Sequence, residues 1–152
     1  MKRLSYFLLV TALLFNLIGC SYQNPVIASL PAYQSKEFYT SGGFQDFTDY
    51  AKYVYAVDIT PSLANSQYFQ EATPADLAEI VLYLENFEQW VETIGRELKQ
   101  NYDFDKSLLT PGDYFYLDSK YASESAYKKF YSYNIYFYDT DTGILYYFHN
   151  NI

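Results

Sequence analysis

The chain has 152 residues, room for one domain, and a formal charge of −8. Loss of Lys2 and Arg3 with a leader would leave eight basic against eighteen acidic residues, near −10. That balance argues against a binder that neutralises nucleic-acid phosphates and against unaided adhesion to anionic lipid. Twenty Tyr and twelve Phe beside one Trp suit either a half-buried antiparallel sheet or a recognition surface, because tyrosine is apolar along its ring and wet at its hydroxyl.

In chain order, "MKRLSYFLLVTALLFNLIGC" opens with a charged Lys2-Arg3 and continues apolar from Leu4 to Ile18. This run is short for a membrane span of about 20 residues and fits a secretory signal. Its end, Leu17-Ile18-Gly19-Cys20, resembles the lipobox of bacterial lipoproteins. The resemblance covers residues 1–20 and implies a cleaved signal peptide (1–19), lipidation of Cys20 and attachment to a bacterial membrane facing the exterior or periplasm. Two or more acyl chains anchor stably where one is marginal. As the only cysteine, Cys20 also leaves no disulfide, thiol nucleophile or cysteine metal site. Residues 20–36 carry Pro25 and Pro31 without a steady period and read as a flexible tether, reaching roughly 50 Å at about 3.3 Å per residue. The single domain then spans 37–152.

Phe44, Phe47, Ala51 and Val54 stand at helical spacing, while Tyr53, Tyr55, Val57 and Ile59 alternate like a strand; the expectation is a helix over about 44–55. Thr73-Pro74-Ala75-Asp76 is a helix start, with a capping Thr, Pro at the first helical position and an acid where a capping box places it. Leu77, Ile80, Val81, Leu84, Phe87, Val91, Ile94 and Leu98 continue as one apolar stripe to about Lys99, near 38 Å at about 1.5 Å per residue. Gly95 weakens its last turns. Beyond Pro111-Gly112 the period becomes two, predicting strands over 113–120, 127–138 and 144–149. The predicted fold is α+β: helices at about 44–55 and 74–99, then a three-stranded antiparallel meander packed on the long helix.

Candidate chemistry is sparse. Asp139-Thr140-Asp141-Thr142-Gly143 fails as an EF-hand, with Gly at position 5 and Asn150 at position 12, but works as a hairpin turn hinged on Gly143. Alternation puts Tyr133, Ile135, Phe137, Ile144, Tyr146 and Phe148 on the expected core face. The other face holds Asn134, Tyr136, Tyr138, Leu145, Tyr147 and His149, where Tyr136, Tyr138 and Tyr147 form the candidate binding patch, or else structural cross-strand pairs. Asp103, Asp105 and Asp113 could bind a cation or divide acid and base roles in glycoside cleavage, though polar loops commonly carry such residues. His149, the sole histidine, completes no catalytic or metal constellation. Glu79, Glu85, Glu88 and Glu92 form an acidic docking face or a solvated one. "GGFQDFTDYAKY", "ENFEQW" and "LYYFHNNI" loosely resemble small secreted proteins of Gram-positive bacteria, a group that brings no stated activity.

The expected function is a lipid-anchored, extracytoplasmic binding protein without catalytic residues, cofactor or metal. Its partners would be the membrane, through Cys20, and a protein or glycan. An immunity-type or inhibitor lipoprotein against a basic toxin or envelope enzyme suits the acidity, and a carboxylate-dependent polysaccharide hydrolase is the third reading.

Overall fold

The computed structural model describes residues 24–43, 46–94, 96–123 and 127–152; the leader and Cys20 lie outside them. The chain runs α1 (Pro25–Ala28), β1 (Ser35–Gly42), β2 (Phe47–Val54), α2 (Thr60–Ala64), β3 (Gln70–Glu71), α3 (Pro74–Ile94), α4 (Arg96–Asn101), β4 (Tyr114–Ser119), β5 (Ser132–Asp139) and β6 (Ile144–Asn151). Single 3-10 turns lie at Lys106–Leu108 and Lys128–Phe130.

All six strands form one antiparallel sheet in the order β1-β2-β6-β5-β4-β3. This corrects the expected fold of two helices and a three-stranded meander: β4, β5 and β6 do pair in sequence, but they are half of a sheet-dominated architecture with one long helix. The helix expected at about 44–55 is β2 (Phe44 lies outside the described residues). β2 sits between β1 and β6 and is buried on both faces from Thr48 to Ala51. A strand covered on both sides loses the apolar–polar alternation that identifies strands, and its apolar residues then mimic helical spacing.

The long helix starts as its sequence requires. Asp76 Oδ2 accepts from the Thr73 amide (2.9 Å) and hydroxyl (2.6 Å), while Thr73 Oγ1 accepts from the Asp76 amide (3.3 Å), a reciprocal capping box. The stripe expected to reach Lys99 as one helix is divided between α3 and α4, on either side of Gly95. Ile80, Leu84, Phe87 and Val91 from α3 and Leu98 from α4 bury against Tyr50, Tyr133, Ile135, Phe137 and Phe148. Rings interlock edge to face there, Phe87 on Phe148 at 5.4 Å and Phe104 on Phe148 at 5.0 Å, each such pair adding about 0.5–1.5 kcal/mol beyond area burial. Among the described residues no helix is long and apolar enough to cross a membrane.

The opposite face has its own core: Ala51, Tyr53, Tyr136, Tyr138, Leu145 and Tyr147 beneath Val26, Leu30, Ile59, Leu63 and Phe69. Part of the expected tether is therefore folded structure. Asn24 caps α1 through Oδ1, accepting from the amides of Val26 (3.1 Å) and Ile27 (3.4 Å), and Pro25 takes the first helical position. Val26, inside α1, and Leu30, just past its end, are both buried against the sheet. Ser35 and Lys36 already belong to β1. Residues 24–34 form a strap across the second face.

Candidate functional site

The carboxylates that looked chemical are occupied structurally. Asp113 is 1% exposed and accepts four hydrogen bonds: from the Thr110 amide and hydroxyl (3.0 and 2.9 Å) and from the Thr140 amide and hydroxyl (2.9 and 2.8 Å). It ties the loop before β4 to the β5–β6 turn. In that turn Asp139 accepts from the Asp141 amide (3.0 Å) and the Thr142 hydroxyl (2.6 Å), and Gly143 has φ +71°, as a hairpin hinge requires. Asp105 caps a 3-10 turn through the Ser107 amide (2.8 Å). Asp103 accepts from Tyr50 (2.8 Å) and Lys52 (2.7 Å). Burial works against its ionisation, but these two donors outweigh that and hold its carboxyl below the usual range. The three aspartates thus serve three separate anchor points, and among the described residues no group of three or more His, Cys, Asp or Glu is placed to hold a metal. On α3, Glu88 accepts from Lys106 (2.8 Å) and Glu92 pairs with Lys99, so the acidic helix face is half neutralised.

The tyrosine patch is placed differently from its expectation. Tyr136, Tyr138 and Tyr147 share the second face but are only 3%, 2% and 8% exposed. Tyr138 belongs to the core with Tyr55, Ile59 and Leu63 and lines neither of the two cavities on this face. Tyr136 and Tyr147 are directly paired across β5 and β6, ring centroids 4.8 Å apart, and both line a groove. Burial pushes both phenols well above their ordinary value, so they act as neutral hydrogen-bonding rings.

That groove arises from strand register. Asp118 on β4 pairs with Asn134 on β5, Asn134 with His149 on β6, and His149 with Asp49 on β2. Because directly opposed residues point to the same face, these four form one polar rung across four strands. With strands about 4.8 Å apart, its backbone ends are separated by about 14 Å. The adjoining rung is Tyr116, Tyr136, Tyr147 and Ala51. The polar rung and the three tyrosines line a cavity of about 500 Å³, closed at its sides by Tyr68, Phe47 and the strap. On the other side of the strap lies a second cavity, about 670 Å³, which shares Asn24, Asp49 and Tyr147 with the first.

A hydrogen-bonded chain fixes the groove's floor. Asn24 Nδ2 donates to the Tyr136 hydroxyl (2.6 Å), and the Tyr147 hydroxyl donates to Asn134 Oδ1 (3.0 Å). His149 Nδ1 lies 2.8 Å from Asn134 Oδ1 and 3.1 Å from the Tyr133 carbonyl. Facing two acceptor oxygens, Nδ1 is assigned the proton, which makes Nε2 an acceptor in the neutral ring. Burial lowers the imidazole's pKa, and Asp49 and the Tyr133 carbonyl pull it partly back.

Sequence reasoning placed Asn134, Tyr136, Tyr147 and His149 on one face but missed Asp49, Asp118, Tyr68, Tyr116 and Asn24. The available signal was a polar residue interrupting an apolar strand, as Asp49 does between Thr48 and Tyr50-Ala51. Comparison with protein-family models, curated proteins and solved structures finds no match, so the functional reading rests on this geometry.

Proposed function

We propose that the protein is a lipid-anchored extracytoplasmic binding protein, held through Cys20, whose ligand site is the tyrosine-floored groove beside the strap. The observation that carries this reading is the polar rung. Four polar residues at consecutive register positions in the middle of a sheet cost stability if sealed, yet these line an open cavity with three tyrosines beside them. A concave, largely aromatic surface with a few convergent polar groups is the usual form of a small-ligand site. Asp103, Asp105 and Asp113 are engaged in structural bonds, which supports binding rather than hydrolysis.

The test uses the half-buried groove walls Tyr68 and Tyr116, whose loss spares the deep core. Intact lipoprotein and a Tyr68→Ser/Tyr116→Ser variant are recovered from membranes, and co-purifying material is compared. Selective loss of a bound component from the variant is expected. Identical co-purification would refute the groove, and failure of Cys20→Ser to abolish incorporation of labelled fatty acid would refute the anchor.

A further inference from the structure

We propose that the groove takes an elongated organic ammonium ligand, with its positive charge against Asp49 and, for a ligand charged at both ends, against Asp118 as well. This inference rests on the binding reading above and names its ligand class.

Three observations converge on it. The first is charge. Asp49 and Asp118 line the 500 Å³ cavity and no lysine or arginine does; His149 is held neutral by burial at ordinary pH. Asp49 is 9% exposed and lines both cavities, and none of the ion pairs among the described residues involves it. The neighbouring cation, Lys36, instead lies over the rings of Phe38 (4.5 Å) and Tyr53 (5.2 Å). A carboxylate at the wall of an aromatic-lined cavity, with no ion-pair partner of its own among the described residues, favours a cation there.

The second is hydrogen-bond polarity. Along the rung, Asp118, the His149 Nε2 and Asp49 are all acceptors. Asn134 has its oxygen taken by Tyr147 and His149. An ammonium group offers only donors and matches these three acceptors, while the Asn134 amide Nδ2 remains the one donor of the rung and is left to a hydroxyl or water. A neutral saccharide hydroxyl would leave both charges unneutralised, and an anion would be repelled. The third is the adjoining tyrosine rung. Tyr116 stacks on Tyr136 at 5.8 Å, presenting aromatic faces that attract a cation and cover methylene groups. With rung ends about 14 Å apart by strand spacing, a linear dication engages both carboxylates where a monoamine engages one.

Binding to the full mature chain is measured calorimetrically with spermidine, butylamine, glucosamine, glucose and hexanediol. Spermidine binding, with hexanediol and glucose inert, is the expected result; glucosamine binding as tightly as spermidine would overturn the elongated ligand. Asp49→Asn should weaken the amine by at least about tenfold, roughly 1.4 kcal/mol, and Asp118→Asn should weaken spermidine but not butylamine. Asp118 is exposed, so its variant reports even if Asp49→Asn folds poorly. Binding of the neutral compounds at equal strength, no amine binding at millimolar concentration, or amine affinity unchanged in both variants would each overturn the proposal. If the Tyr68/Tyr116 variant still loses its co-purifying component in those cases, the groove remains a binding site for another ligand class.

Discussion

Replacing Asp113 by alanine is the sharpest probe of whether the loop carboxylates are architecture or chemistry. The substitution strands four donors: the amides of Thr110 and Thr140 and their two hydroxyls. Both threonines are exposed, so their hydroxyls can turn to water, and the durable loss is the two amide bonds. Hydrogen bonds to a charged acceptor contribute about 1.5–3 kcal/mol each, giving a gross loss of about 3–6 kcal/mol. Removing a buried carboxylate recovers some desolvation, and loop relaxation recovers more, so the net cost should be about 2–3 kcal/mol. For a domain of this size that corresponds to a fall in Tm of about 8–12 °C. Circular-dichroism melts and urea titration measure it, with an unchanged m-value showing that the loss belongs to the native state. Asp105→Ala is the control, removing a cap on an exposed 3-10 turn, and should melt close to the parent. If Asp113→Ala melts within about 2 °C of the parent, or if Asp105→Ala costs as much, the clamp assigned to Asp113 is wrong.

Two further outcomes follow from the strap and the histidine. Asn24→Ala removes the α1 cap and the bond to Tyr136; it should cost about 1 kcal/mol and raise amide exchange at Val26 and Ile27 selectively, and a uniform rise across the sheet would contradict a strap that opens locally. For His149, the folded ring binds its proton at a pH below the ordinary 6.5, so between those values the unfolded chain holds more protons. Stability is therefore unaffected above about pH 7 and falls as pH drops from about 6.5 through the folded value. His149→Gln should flatten Tm between pH 7 and 5, a window above that of the hydrogen-bonded carboxylates; an unchanged slope would show that the ring is not held neutral.

Local rules made α3 readable, because Thr73, Pro74 and Asp76 act within one turn and the apolar stripe repeats over many turns. The β5–β6 hairpin was readable for the same reason: Asp139 and Gly143 define its turn, and period-two alternation sorted Tyr133 to Tyr138 into the correct faces. β2 was not readable, since Tyr50 and Ala51 are both fully buried and the face-to-face contrast disappears. The strap was missed because its helix is only four residues long, too short for a period, although Asn24-Pro25 is a cap followed by a first-turn proline. The groove depends on pairing order. Asp49 meets His149 across about 100 residues of sequence because β6 inserts beside β2, and no spacing rule encodes which distant strands become neighbours.

The strap also changes what the lipobox resemblance implies. A flexible tether to residue 36 would hold the domain up to roughly 50 Å from the bilayer. With the chain bound to the sheet from Asn24, whose carboxamide caps α1 and holds Tyr136, only four residue-to-residue steps lead back to Cys20. At full extension these span about 14 Å, comparable to the width of the groove itself. Should labelling show that Cys20 carries the lipid, the groove must work close to the headgroups, beside the point where the chain is fixed. Its ligand would then be met at the membrane surface, where anionic lipids concentrate organic cations within about a Debye length. The acidic domain and the acidic ends of the rung would draw on that same pool, which makes the short reach and the carboxylate-ended groove parts of one arrangement.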